Sequence, residues 1–136
     1  MESQVISRKK VKDLLRKKMP LDSLDLRGAD LEGVQFDDAS LRWAKLAEAN
    51  LQGCSFRRAD LTGASLWNAK LLGAVFEAAI LDEADLDMAD LDGCTFKNAR
   101  IRKAIFPTQA AELQQVRSSI RTGDPVRLCE SVLPTD

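Results

Sequence analysis

The sequence predicts an all-β solenoid of about four coils, closed at each end by a short α-helix. Two periodicities and one charge pattern carry that expectation. Stepping by five from Leu26 to Phe106 meets seventeen consecutive residues that are all Leu, Phe or Ile, and all five Phe of the chain lie on this register. A period of twenty is overlaid on the five: Phe36, Phe56, Phe76 and Phe96 recur at that spacing, and so do Gly33, Gly53, Gly73 and Gly93. The column Asp37, Arg57, Glu77 and Lys97 alternates in sign, and Asp38 falls beneath Arg58.

Two residues before each large apolar position stands a small one. Thirteen are Ala, two are Cys (Cys54, Cys94), and the others are Val34 and Leu24. Small and large residues separated by one polar residue point to the same side of an extended segment. Phe36, Phe56, Phe76, Phe96, Leu66 and Leu86, with Ala64 and Ala84, are therefore expected in the core. Overpacking at Ala84 should be costly, whereas the outward Asp85 should be replaceable. A period of five fits neither a helix nor a continuous strand, so the chain must turn between segments. Six of the seven Gly fall two residues after the large position, where a corner with positive φ would favour them. Four quintets then make one coil, and opposite charges stack at ~4.8 Å.

Quintets such as Ala29-Asp30-Leu31-Glu32-Gly33, Ala49-Asn50-Leu51-Gln52-Gly53 and Ala59-Asp60-Leu61-Thr62-Gly63 resemble the A(D/N)LXX unit of the pentapeptide-repeat family. The resemblance runs unbroken from residue 24 to 106. It implies a right-handed quadrilateral β-helix with the Ala and Leu positions inside, of about four and a quarter coils and about 20 Å tall. It implies little about activity.

An open stack exposes an apolar core and unpaired edges, so both flanks are expected to be caps. Residues 1–23 form a basic N-terminal segment in which Ser7 caps a helix running to about Lys18, ended by Pro20. Its stripe of Val11, Leu14 and Leu15 is expected to pack near Leu24 and Leu26. Its basic side is expected to lie over an acidic rim of Asp25, Asp30 and Glu32, +4 against the −4 of residues 24–106. Residues 107–123 form a second capping helix, with Pro107 breaking the repeat, Thr108 as N-cap, Leu113, Val116 and Ile120 as its apolar stripe, and Gly123 at its end. Residues 124–136 are a tail. Association of copies, where it occurs, is expected through a terminal cap.

The chemistry of catalysis is missing from this composition. There is no His in 136 residues, which removes the commonest general base and metal ligand. Cys54 and Cys94 fall two coils apart at core positions, too far for a disulfide. Cys129 lies outside the repeat with no motif to activate it. The acidic group Asp82, Glu83, Asp85, Asp87, Asp90 and Asp92 points outward around one coil rather than converging. No enzyme activity, cofactor or metal is expected. No run of about eighteen apolar residues suggests a transmembrane helix, and the basic N-terminus lacks the apolar stretch of a signal peptide. A cytoplasmic setting is the expectation.

Function should then reside in surface decoration. Trp43, Trp67, Leu72, Ile80 and Met88 occupy positions that the repeat turns outward, and Trp and Met are enriched at interfaces. The leading expectation is a rigid, non-enzymatic binding or scaffold module for a protein partner, with nucleic acid not expected as a partner. The alternative comes from the family resemblance alone: some pentapeptide-repeat proteins mimic DNA and bind a type II topoisomerase.

Overall fold

The computed structural model describes residues 6–107 and 110–126. Its body is a right-handed, four-sided β-helix between two helices, α1 (Arg8–Arg16) and α2 (Ala110–Thr122). Thirteen parallel bridges each join residues twenty apart, from Asp25–Lys45 to Asp85–Ile105. Coils are numbered from Leu21: coil 1 is 21–40, coil 2 is 41–60, coil 3 is 61–80 and coil 4 is 81–100, followed by a partial coil to 106. The walls take their middle residues: 25, 45, 65, 85 and 105 for wall 1; 30, 50, 70 and 90 for wall 2; 35, 55, 75 and 95 for wall 3; 40, 60, 80 and 100 for wall 4. The body begins one quintet before residue 24, because Leu21 is buried and its N–H reaches Ser40 O at 2.8 Å.

Each wall contributes one bridge per coil rather than a strand of several residues, because the corners consume the rest of the quintet. At a corner the carbonyl of the large residue accepts the N–H three residues on, as Leu26 O does from Ala29 at 3.1 Å. The third residue of the corner takes positive φ, which makes a type II turn. All seventeen such residues from Ser23 to Lys103 do so, between 55° and 78°, and eleven of them are not glycine. The six glycines therefore understate the demand.

The Asp or Asn of the quintet has a job at the same corner. Its side-chain oxygen accepts the N–H two residues on: Asp60 from Thr62 at 3.0 Å, Asp85 from Asp87 at 2.9 Å, Asn50 from Gln52 at 3.2 Å. This is the Asx arrangement that favours turns. Where the wall residue cannot do this, an aspartate one coil below supplies the oxygen. Asp22 accepts from Arg42 N, Asp37 from Arg57 N and Asp82 from Arg102 N, at 3.0–3.1 Å. The same three carboxylates also take Ser40 Oγ, Ser55 Oγ and Arg100 Nε. Asp85 is thus not a bare surface residue, and the expectation that it is freely replaceable needs correction.

Inside, Phe36, Phe56, Phe76 and Phe96 are fully buried and form one stack, with ring centroids 5.0, 5.0 and 5.2 Å apart and planes within 7°. Phe106 closes the stack edge-on against Phe96 at 6.1 Å. Ala64, Ala84, Leu66 and Leu86 are fully buried as well. Outside, Arg58 forks onto Asp38 at 2.7 and 3.0 Å, and Arg57 meets Glu77 at 3.0 Å. The alternating column is only partly realised. Lys97 leaves it and donates to Arg121 O of α2 at 3.4 Å. Such exposed pairs are worth at most about 1 kcal/mol each.

Both ends are covered. Ser7 Oγ caps α1 by accepting Lys10 N–H at 3.1 Å. The helix stops at Arg16 rather than near Lys18, because a Schellman closure ends it: Met19 N–H reaches Leu14 O, Lys18 N–H reaches Leu15 O, and Lys18 takes φ 57°. Val11 is fully buried, and Leu14 and Leu15 pack partly buried against the core. At the other end Val116 is fully buried. Ser119 Oγ accepts Phe96 N–H at 2.9 Å and Ile120 O accepts Asn98 N–H at 3.0 Å. Val126 folds back onto coil 4, accepting from Gly93 N and donating to Cys94 O. The cap thereby takes edge groups that a fifth full coil would have taken. Thr108 and Cys129 lie outside the described residues.

Three outcomes follow from this packing. Ala84→Leu should lower stability by at least ~1–3 kcal/mol in chemical denaturation, because a full side chain has no space in the core. Asp85→Ser should cost less, about 0.5–1.5 kcal/mol, as one turn hydrogen bond is weakened. A second pair separates strain from contact. A Cβ on Gly53 (φ 67°) would meet nothing within 4 Å, whereas one on Gly63 (φ 68°) would lie 2.1 Å from the Trp43 indole, which covers that glycine. Gly53→Ala should cost ~1–2 kcal/mol of backbone strain, and Gly63→Ala more, with a shift in Trp43 fluorescence. The third concerns acid. The Arg27 side chain first, and its backbone N–H second, hold Asp25 at about 2, below its ordinary 3.8. The folded value lies below the unfolded one, so this stabilisation is present above about pH 4 and is lost as pH falls toward 2. Asp25→Asn should flatten the decline of Tm in that window.

Candidate functional site

Burial decides first which polar and thiol groups could do chemistry. The Cys54 and Cys94 thiols are buried and donate to Leu31 O and Leu71 O at 3.0 Å. Burial pushes Cys54 up to about 11 and Cys94 higher still, so neither is a thiolate near neutral pH. The acidic belt of coil 4 does not converge. Asp82 pairs with Arg100 at 2.8 Å, Asp85 holds Asp87 N, Asp87 holds Met88 N and Asp90 holds Asp92 N. Among the described residues no group of three or more His, Cys, Asp or Glu is placed to hold a metal ion. No described helix is long and apolar enough to cross a membrane.

The five outward apolar residues fall on different parts of the solenoid. Trp43 sits at the corner between walls 4 and 1 on coil 2, with its indole laid over Gly63 of coil 3. Trp67 and Met88 share the corner between walls 1 and 2, on coils 3 and 4. Leu72 occupies the next corner, between walls 2 and 3, and Ile80 the middle of wall 4, where it is half-buried. The register brings together only Trp67 and Met88 from this set, at 39% and 61% exposure.

Ile105 belongs with them and was not singled out from the sequence. It is the last middle residue of wall 1 and is 52% exposed. The signal was present, since Ile105 stands at the polar position of its quintet, one before Phe106. Trp67 and Met88 at the corner between walls 1 and 2, and Ile105 in the middle of wall 1, thus fall on three successive coils toward the C-terminal end. Around them lie Ser65 and Asn68, neither of them charged, and the carboxylates of coil 4. Exposed apolar side chains on a backbone held coil to coil suit binding to another surface.

The basic residues of α1 lie apart from this set, at the opposite end of the stack. They are exposed, and the helix's own Asp13 takes Arg16 and, at 3.2 Å, Lys17. The expected contact with the acidic rim is not made: Asp25 pairs with Arg27 at 2.6 Å, and Asp30 and Glu32 accept from Asn50.

Comparison with known proteins agrees with the fold. The profile described as pentapeptide repeats matches in eight copies, over residues 25–63, 39–77 and 59–98, more than half of the chain. No curated protein sequence matches. Among solved structures, a pentapeptide repeat protein from the Arabidopsis thaliana thylakoid lumen is 30% identical, with a TM-score of 0.64 over 80% of this chain and 85% of that one. A pentapeptide repeat protein from Nostoc PCC 7120 is 26% identical, with a TM-score of 0.52 over 82% of this chain and 95% of that one. HetL, a pentapeptide repeat protein of the same cyanobacterium involved in heterocyst differentiation regulation, is 41% identical, with a TM-score of 0.51 over 66% of this chain and 41% of its own. On its unbroken quintets, its four-sided coils and these matches, the chain belongs to the pentapeptide repeat family.

Proposed function

We propose that this chain is a non-enzymatic binding module, a rigid post that presents wall 1 and its flanking corner to a protein partner. The observation that carries the reading is the set Trp67, Met88 and Ile105, exposed on wall 1 and its flanking corner, where the backbone is held coil to coil. Large side chains on a rigid support lose little freedom on binding. We read the setting as cytoplasmic, with Cys54 and Cys94 kept as free core thiols. Self-association, on this reading, runs through the end caps and leaves the wall to the partner. The topoisomerase-directed alternative asks for an unbroken acidic face, whereas Asp38, Glu77 and Asp82 are each paired with an arginine.

Site-specific photo-crosslinking tests this. A crosslinker in place of Met88 or Ile105 should trap one protein from lysate at both low and high salt, since apolar contact is weakly screened. A crosslinker in place of Leu72 or Ile80 should not trap it. Trp67→Ala should reduce capture by tenfold or more with Tm unchanged. Equal trapping from all four positions, or undiminished capture by Trp67→Ala, would sink the wall 1 assignment.

A further inference from the structure

The basic face of α1 works against the helix that carries it. Arg8, Lys9 and Lys10 occupy the first turn, which contains no acidic residue. Positive charge is unfavourable at that end of a helix, where the peptide dipoles already present a partial positive charge. Arg8, Lys12 and Arg16 follow one another at i, i+4, a like-charge row that also opposes helix formation. Asp13 is the single acid of the helix and serves Arg16 and Lys17. Among the described residues, Arg8, Lys9, Lys10 and Lys12 form no ion pair, and all four are exposed.

Among the described residues, the solenoid beneath makes no ion pair with them. Each carboxylate of coil 1 already has a partner in the solenoid. Asp22 holds Ser40 and Arg42 N, Asp25 holds Arg27, Asp30 and Glu32 hold Asn50, Asp37 holds Ser55 and Arg57 N, and Asp38 holds Arg58. The capping work of α1 is done by other residues, namely Val11, Leu14, Leu15 and Ser7. The basic face therefore opposes the helix that carries it. A surface kept against the interest of stability is where binding function is found.

We infer that the outer face of α1, centred on Arg8, Lys9, Lys10 and Lys12, is a binding surface for the phosphodiester backbone of a nucleic acid, read without regard to sequence. The row at i, i+4 sets charges about 6 Å apart along the helix, a linear array suited to a linear polyanion. A lipid surface fits less well. Interfacial helices hold the bilayer by an apolar face, and the apolar side of α1 is consumed by the cap, with Val11 fully buried. The surface lies at the other end of the stack from Trp67, Met88 and Ile105, so a protein partner and a nucleic acid would not compete.

The test uses the full chain and a fluorescein-labelled, mixed-sequence single-stranded DNA oligomer, read by anisotropy. Binding is expected with a dissociation constant of roughly 10⁻⁴ to 10⁻⁶ M near physiological salt. With four bases engaged, the slope of log affinity against log salt should be about −3. The variant R8Q/K9Q/K10Q/K12Q should lose at least tenfold in affinity while its Tm stays level or rises, because the removed charges oppose the helix. A charge-conserving variant, R8K/K9R/K10R/K12R, should keep both affinity and slope. Three results would overturn the inference. One is no salt-dependent binding by the unmodified chain. Another is a fall in Tm of the Gln variant, which would return the bases to the fold. The last is binding to vesicles containing phosphatidylserine with none to the oligomer, which would assign the face to a membrane surface.

Discussion

Everything in this molecule depends on fitting one wall and one corner into five residues. A wall needs a small inward residue, an outward one and a large inward one, which leaves two for the corner. Two residues can turn an extended chain through the required angle only if the second takes positive φ. Every corner from Ser23 to Lys103 meets that condition, with glycine or without it. Left-handed backbone costs an ordinary residue ~1–2 kcal/mol, so eleven strained corners must be held from outside themselves. The holding comes from stacking. Each corner donates or accepts across to the next coil, as Trp43 N–H does to Thr62 O and Glu48 N–H to Trp67 O, both at 2.8 Å. Side-chain oxygens from Asp60, Asp85 or Asp22 fix the corner amides as well. No coil is stable alone, and the core, the bridges and the corners form together.

The same constraint explains why the ends need separate devices. A coil in the middle of the stack has its edge groups met on both sides, whereas the last has one side open. Coil 4 is finished by a helix and a returning segment that mimic the missing coil only where they can: a serine hydroxyl for Phe96, a helix-end carbonyl for Asn98, and Val126 for Gly93 and Cys94. Phe106, which continues the column of Leu26, Leu46, Leu66 and Leu86, meets the last ring of the Phe stack edge-on. Coil 1 is finished by α1, which contributes apolar side chains and almost no polar contact to the solenoid.

The fold was legible because the pattern that specifies it is local and repeated. Inward Leu, Phe and Ala recur at fixed steps, so one correct register places the whole core. What escaped was of two kinds. Boundary residues have only one neighbour in the pattern: Leu21 is in register, but Met19 stands where an Ala would have marked it, and α1 stops at a Schellman closure through Lys18 that no glycine announces. Side-chain direction is the other kind. Spacing put Arg57 between Asp37 and Glu77, yet it could not say that the guanidinium goes to Glu77 while Asp37 takes the Arg57 amide. Nor could it say that Trp43, at 52% exposure, lays its indole over Gly63, or that Trp67 is the less exposed of the two at 39%. The candidate surface was legible only as a list of outward positions; the register in space is what groups Trp67 with Met88 and adds Ile105.

That grouping bears on how a repeat protein acquires a function at all. A solenoid of near-identical quintets presents near-identical walls, so recognition must come from departures from the consensus. Departures that the scaffold can absorb without help are uninformative, as with Leu72 at a corner and Ile80 in a wall. Departures that cluster in space, or that work against stability, carry more. Trp67, Met88 and Ile105 fall on three successive coils, on wall 1 and the corner beside it, which the stack keeps rigid. The bases of α1 work against the helix that carries them, at its first turn and along its i, i+4 row, while every acid nearby is engaged elsewhere. Neither feature is required to close a corner, fill the core or finish an end. They are the parts of this sequence that the fold leaves unexplained, and for that reason they are where a partner should be sought.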